Sequence, residues 1–329
     1  MSIRLLREKD IRELLSFPEA IVAVESAFAE LAAGRAVMPG VINLDLEDVR
    51  GEVHIKSAHL RGNENYVIKV ASGFYRNPER GLPVGNGLML LFEAETGRLR
   101  CVLFDNGYVT EMRTGAAGAV AAKYLARDPV EAVGIVGSGV QARYQFRALL
   151  EVRMVREARV WSPNPGHVRD YVAEMSALFP RVRLRAVASC EEAVRGSDIV
   201  ITATPSRAPL VRADWVSPGT HITALGSDGP DKQELGVGVL GIAGKIFCDS
   251  IAQCEKLGEV HHALAAGAIA RDRITGELGE IILGRRAGRE SDAEITVADL
   301  TGLGVQDAAA AALVYRKSLD LNLGELLEI

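Results

Sequence analysis

The chain has 329 residues, 48% of them hydrophobic and 25% charged, with a formal net charge of -5. This is material for a sizeable core and, since single cores seldom grow past roughly 250 to 300 residues, for about two domains. The acidic balance leaves no basic footprint for nucleic acid, and no apolar run reaches the roughly 18 residues needed to cross a bilayer. The start, Met1-Ser2-Ile3-Arg4-Leu5-Leu6-Arg7-Glu8-Lys9-Asp10, carries charge where an export signal needs an apolar core, so the expected location is the cytoplasm. Cys101, Cys190, Cys248 and Cys254 form no Cys-x-x-Cys pair, and the adjacent His261 and His262 point apart on a helix, so neither a disulfide framework nor a metal site is expected.

Residues 18–34 predict an amphipathic helix, because Ile21, Val24, Phe28 and Leu31 recur at helical spacing before the stop Met38-Pro39-Gly40. Strand-like runs follow at 53–58, 66–71, 88–93 and 99–105, making the first part a mixed α+β unit. Alternation puts Glu52, His54 and Lys56 on one strand face and Val53 and Ile55 on the other. Lys69 interrupts the apolar run Tyr66-Val67-Ile68-Lys69-Val70-Ala71. It either meets an anionic partner, since an unpaired buried ammonium is costly, or points to solvent from the wet face. Arg113 stands at the entrance to a small-residue helix over 110–127. Its planar fork suits a carboxylate, and a surface pair with Glu111 is the local alternative.

From Val133 the rhythm alternates strand and helix, with strands expected at 133–136, 158–161, 183–186, 198–203, 221–225 and 245–248. That is the pattern of a doubly wound parallel sheet. Its first turn is Gly137-Ser138-Gly139-Val140-Gln141-Ala142, which follows an apolar strand and opens a helix. Gly137 can take the tight turn, Gly139 lets the backbone approach a pyrophosphate, and Ala142 keeps helix and sheet close. The helix N-terminus adds N–H donors and a partial positive charge, so dinucleotide binding and hydride chemistry lead. The second strand ends in Trp161-Ser162-Pro163-Asn164 with Arg169 nearby, lacking the acid that would select NAD. NADP is therefore favoured, with NAD the alternative. The expected cofactor-binding residues are Gly137, Gly139, Val140, Gln141, Ala142, Ser162, Asn164, Thr204 and Ser227.

Asp228, in Gly226-Ser227-Asp228-Gly229-Pro230, falls just past the C-terminal end of an apolar strand, where open α/β sheets bind ligands. There a carboxyl group can exchange a proton as hydride moves, and the same residue equally suits a plain turn before Gly-Pro. A last strand at 294–300 leads through Thr301-Gly302-Leu303-Gly304 into an alanine-rich helix over 306–317 that returns to the first domain. The expected architecture is a discontinuous α+β substrate-binding and dimerisation domain, 1–118 with 302–329, and a Rossmann domain, 119–301.

Several blocks, in this order, resemble the ornithine cyclodeaminase and mu-crystallin family. They are Met38-Pro39, Lys69, Arg113-Thr114 with the alanine-rich helix, the Gly137 to Ala142 turn, and Gly226-Ser227-Asp228 with Lys232-Gln233-Glu234-Leu235. Gly258-Glu259, Gly276-Glu277-Leu278-Gly279, and Asp299-Leu300-Thr301-Gly302 with Gln306-Asp307 complete the set. The resemblance implies a homodimer and hydride transfer between a nicotinamide and a carbon bearing nitrogen. It also implies that Lys69 and Arg113 hold a substrate carboxylate, with Asp228 and Lys69 as the catalytic residues. Some members carry an arginine soon after the Met-Pro motif, and here the chain reads Gly40-Val41-Ile42-Asn43-Leu44. Lys56 resembles a lysine of the imino-acid-reducing and ectoine-utilisation branches that could replace it, or bind a second acidic group.

The leading expectation is an NAD(P)H-dependent oxidoreductase that reduces a small 2-imino acid or cyclic ketimine, or runs amino-acid dehydrogenation in reverse. The alternatives are an ornithine cyclodeaminase, which forms proline and ammonia with recycled NAD, and a crystallin-like protein that binds NADPH without turnover.

Overall fold

The structure, a computed structural model, describes residues 2–328. It divides into two compact units, Met1–Arg113 with Leu303–Ile329, and Thr114–Gly302, so the first is assembled from both ends of the chain. The joins at 113/114 and 302/303 compare with 118/119 and 301/302 expected from the sequence.

In the first unit one sheet runs in the order Glu325–Glu328, Ser2–Arg7, Leu99–Phe104, Gly85–Glu93, Asn65–Phe74, Gly51–Leu60, Ala36–Val37. Ile42–Leu46 also pairs with Gly51–Leu60. Ser2–Arg7 lies parallel to Leu99–Phe104, and the other pairs are antiparallel. Three of these strands, Ser2–Arg7, Ile42–Leu46 and Glu325–Glu328, carry no periodic signal that the sequence reading detects. Ile42–Leu46 and Glu325–Glu328 are exposed along their whole length, so no apolar stripe marks them.

The amphipathic helix occupies Phe17–Ala32, opened by a capping box in which the Ser16 N–H donates to Glu19 at 3.2 Å. Ile21, Val24 and Phe28 are buried. The Gly304–Asp320 helix packs against this helix and on the Gly51–Leu60 and Asn65–Phe74 strands. Gly304 permits that approach, since a Cβ there would stand 2.7 Å from the Ser57 carbonyl oxygen. Strand alternation then turns Lys56, Ala58, Val67 and Lys69 toward this helix layer. On the other face Val53, Ile55, Ile68 and Val70 are only partly buried, and Ile42 and Leu44 are exposed.

The second unit is built on eight parallel strands in the order Arg183–Ala186, Val155–Trp161, Val130–Val136, Ile199–Thr202, His221–Ala224, Thr296–Asp299, Lys245–Cys248, Gly276–Glu277. The chain order reverses between Val130–Val136 and Ile199–Thr202, and this switch point is where doubly wound sheets open a ligand crevice. Burial on both faces explains the apolar residues Val133, Ile135 and Val136 of the Val130–Val136 strand. Gly134 stands among them because a Cβ there would overlap the Ala193 carbonyl oxygen. Arg207–Val211 and Gln233–Leu235 form a separate two-stranded parallel ladder. The small-residue helix spans Tyr108–Leu125. Its Gly118 faces the buried Gln145 side chain, which donates to the Thr114 carbonyl at 2.7 Å. No helix of the described residues is long and apolar enough to cross a membrane.

Candidate active site

The helix layer of the first unit carries a cluster of buried charge. Lys69 Nζ lies 2.9 Å from one carboxylate oxygen of Asp307, and Arg113 Nε donates to the other at 2.8 Å. Arg113 Nη1 donates to Gln306 Oε1 at 2.8 Å, an oxygen that also accepts the Leu303 N–H at 3.3 Å. Lys69 is 2% exposed, Arg113 5% and Asp307 1%. Of the two readings open for Lys69, the fold therefore supplies the anionic partner. Arg113 likewise is buried and turns to Asp307 and Gln306 rather than to a surface pair with Glu111.

Lys56 sits directly across the ladder from Lys69 and adds to the local positive field. Burial, aided by the Arg113 charge and opposed by Asp307, pushes the Lys69 ammonium down to about 7. Burial alone would raise the Asp307 carboxyl, but Arg113 and Lys69 more than reverse this and hold it below the usual carboxylate range. Glu111 experiences burial with less compensation and is pushed up to about 8.

In the second unit the glycine turn sits at the C-terminal end of Val130–Val136. Gly137 adopts φ +118, and a Cβ there would approach the Ala203 carbonyl oxygen to 2.5 Å, so a side chain is excluded on both counts. Gly139 is the extended N-cap of the Val140–Leu150 helix and provides no side-chain cap. Nothing lies within 4 Å of where its Cβ would be. The first helical amides therefore face an open cradle, and Gln141 Oε1 is buried beside it without a hydrogen-bond partner. These features fit a pyrophosphate-containing dinucleotide. Ala142 is fully buried, and Tyr171 fixes it by donating to its carbonyl at 3.2 Å.

The remaining sequence-derived residues have partners of their own. Ser138 Oγ meets Ser162 Oγ at 2.9 Å, and Asn164 Oδ1 caps the Pro165–Leu178 helix by accepting from Gly166 at 2.9 Å and His167 at 3.3 Å. Thr204 gives its N–H and hydroxyl to Glu234, Ser227 Oγ donates to the Lys232 carbonyl, and Asp228 Oδ1 pairs with Lys232 Nζ at 2.8 Å. Lys56, Lys69 and Arg113 thus gather in one unit, and the glycine turn, Ser162, Thr204, Ser227 and Asp228 belong to the other. Among the described residues no group of three or more His, Cys, Asp or Glu could hold a metal ion.

Sequence reasoning assigned no role to Asp307, Gln306, Lys232 or Glu234. All four lie in blocks that carry the family resemblance, but their partners are up to 238 residues away in sequence. No local spacing links them.

A doubly wound parallel sheet whose first turn presents an uncapped, glycine-lined helix N-terminus defines a dinucleotide-binding protein of the Rossmann type. The family model for the ornithine cyclodeaminase/mu-crystallin family matches residues 2–322, and the chain belongs to that family. An uncharacterized cyclodeaminase of Sinorhizobium fredii is 42% identical over 329 residues, with 99% of each chain covered. The Delta(1)-pyrroline-2-carboxylate reductase of Thermococcus litoralis, solved with NADH and L-proline, matches with a TM-score of 0.94 at 36% identity, covering 98% of this chain and 99% of that one. An archaeal alanine dehydrogenase dimer with bound NAD matches with a TM-score of 0.93 at 38% identity over the whole of both chains.

Two outcomes are expected of the Asp307 cluster. Asp307→Asn leaves two buried cations facing a neutral amide and lowers unfolding free energy by about 3–5 kcal/mol, measured by urea denaturation at pH 7. Wild-type Lys69 loses its proton near 7 in the fold and near 10.5 when unfolded, so between these values the unfolded chain binds more protons. Stability from this group then rises with pH across that window, by up to about 1.4 kcal/mol per pH unit. Urea midpoints of wild type measured against Lys69→Met from pH 7 to 9.5 check the sign, and a flat difference refutes it.

Proposed function

We propose that the protein is an NAD(P)H-dependent oxidoreductase that reduces a small 2-imino acid or cyclic ketimine, and in reverse dehydrogenates an amino acid. The observation that carries this reading is the pair of buried cations, Lys69 and Arg113, held on Asp307. Both cations are already desolvated and held in place, with Lys56 across the ladder from Lys69, a setting in which a further anion gains more from each contact than it would in water. A substrate carboxylate is such an anion. Asp307 and Gln306 fix the Arg113 fork and the Lys69 ammonium in advance, so little side-chain freedom is left to lose when substrate binds. Lys56 is the candidate for a third contact.

When bound, the dihydronicotinamide supplies the hydride that adds to the imine carbon. Gly137, Gly139, Val140, Gln141 and Ala142 hold the phosphates, with Ser162, Asn164, Thr204 and Ser227 as further cofactor contacts. Asp228 moves the single proton that the nitrogen must gain on reduction or lose on oxidation. No carboxylate stands between Trp161 and Arg169, which supports NADPH as an accepted and favoured reductant. The bound NADH and NAD of the solved relatives support NADH as the alternative.

The relative at 42% identity, named a cyclodeaminase, favours a second reading, L-ornithine conversion to proline and ammonia. A spectrophotometric screen separates the two. NADPH and NADH oxidation is followed with pyruvate plus ammonia or methylamine, 1-pyrroline-2-carboxylate, 1-piperideine-2-carboxylate and iminosuccinate, beside L-ornithine without reductant. Oxidation with at least one imine is expected, and Asp228→Asn lowers that kcat by about 100-fold or more. Proline release from ornithine alone transfers the assignment to a cyclodeaminase, and dinucleotide binding without any turnover to a binding protein.

We also propose a homodimer formed on the open face of the first unit's sheet, where Ile42 and Leu44 are exposed beside the half-buried Val53, Ile55, Ile68 and Val70. The dimer of the archaeal relative supports this. Sedimentation velocity should give twice the chain mass, and Leu44→Glu should shift it toward the monomer. A wild-type monomer rules the dimer out.

A further inference from the structure

Lys232, Glu234, Glu259 and Asp299 take no part in the chemistry above, yet three of them are carboxylates at 0–1% exposure. Each of these acids grips the main chain of the segment that bears the next. Asp299 accepts the backbone N–H of Glu259 and that of Val260, the latter at 2.8 Å. The two oxygens of Glu259 accept the Glu234 N–H at 2.8 Å and the Leu235 N–H at 3.0 Å. Glu234 in turn accepts the Thr204 N–H at 2.6 Å, the Thr204 hydroxyl at 2.8 Å, the Thr202 hydroxyl at 2.7 Å and the Gly226 N–H at 2.8 Å. The series starts on Thr296–Asp299 and ends on the two strand ends that lead into Thr204 and the Asp228 turn.

Two glycines make room for it. A Cβ on Gly226 would stand 2.6 Å from the Glu234 carboxyl carbon, and one on Gly258, at φ +82, would stand 2.7 Å from both Asp299 oxygens. Lys232 holds the same turn from the other end of the short strand segment. Its carbonyl accepts the Ser227 hydroxyl and lies 2.8 Å from His262 Nε2, while its buried ammonium reaches Asp228 Oδ1 at 2.8 Å. The Asp228 side chain is 40% exposed, with its Oδ1 held by the buried Lys232 ammonium.

We propose that Lys232 and Glu234 are the positioning residues of this site: Lys232 orients the Asp228 carboxylate, and Glu234, backed by Glu259 and Asp299, locks the amides of Gly226 and Thr204. The proposal rests on the reading of Asp228 as the proton-transferring group. Its chemical logic is that proton transfer to a bound imine tolerates little displacement of the acid, and amide-bound carboxylates are directional where apolar packing is not.

The test uses the full-length protein with 1-pyrroline-2-carboxylate and NADPH, measuring kcat, KM, dinucleotide Kd by fluorescence quenching, and Tm. Lys232→Met is expected to lower kcat by about 10–100-fold with KM, Kd and Tm near wild type, while Lys232→Arg, which restores a cation, recovers most of the rate. Glu234→Gln places an amide donor against one backbone N–H and one hydroxyl in either orientation, and should lower kcat and weaken dinucleotide binding together. Lys232→Met with kcat within twofold of wild type overturns the proposal. So does a loss of rate that follows Tm and Kd and that arginine does not rescue. Asp228→Asn separates this failure from that of the underlying reading. If Asp228→Asn stays active, both fall, whereas an inactive Asp228→Asn beside an active Lys232→Met removes the positioning role alone.

Discussion

The first unit depends on one carboxylate. Asp307 sits near the start of a helix drawn from the last part of the chain, and it holds one cation from a central strand and another from the first turns of the small-residue helix. Removing two long cationic side chains from water is costly, and the fold compensates only when all three groups meet with good geometry. The C-terminal helix must therefore return to the sheet that the N-terminal residues build. A discontinuous unit is the consequence, with Gly304 permitting the close approach and Gln306 bracing the arginine fork.

The second unit handles buried charge by the opposite means. Glu234, Glu259 and Asp299 are satisfied by backbone amides and hydroxyls. Burial still tells on them. It pushes Glu234 to about 7 against the bonds from Thr202 and Thr204, and Asp299 to about 7 against the Val260 amide. Burial, with the Asp299 and Glu234 charges beside it, also raises Glu259 well above the usual carboxylate range. In the first unit a carboxylate orders two cations, whereas in the second amide-bound carboxylates fix backbone.

Much of the fold is legible in the residues themselves. The strands Ile199–Thr202 and Lys245–Cys248 and the glycine turn follow from short apolar runs and from glycine stereochemistry, both local properties. Ile42–Leu46 and Glu325–Glu328 are not legible, because exposed edge strands are defined by the partner they join. Among the site residues, Lys69 is conspicuous as a cation in an apolar strand, and Asp228 as an acid past a strand end. What each touches is not conspicuous. Two fates for Lys69 fit the sequence equally until Asp307 is placed beside it.

By itself the sequence determined the parallel sheet, the glycine turn after its first strand and the identity of the charged residues available for chemistry. Side-chain periodicity and the backbone freedom of glycine act over a few neighbours and are written along the chain. Only the tertiary structure decided which charges meet: Asp307 with Lys69 and Arg113, Lys232 with Asp228, and Glu234 with the amides of Thr204 and Gly226. The physical reason is that a buried charge must find its partner in space, and these partners are set by how helices and strands pack rather than by their separation along the chain.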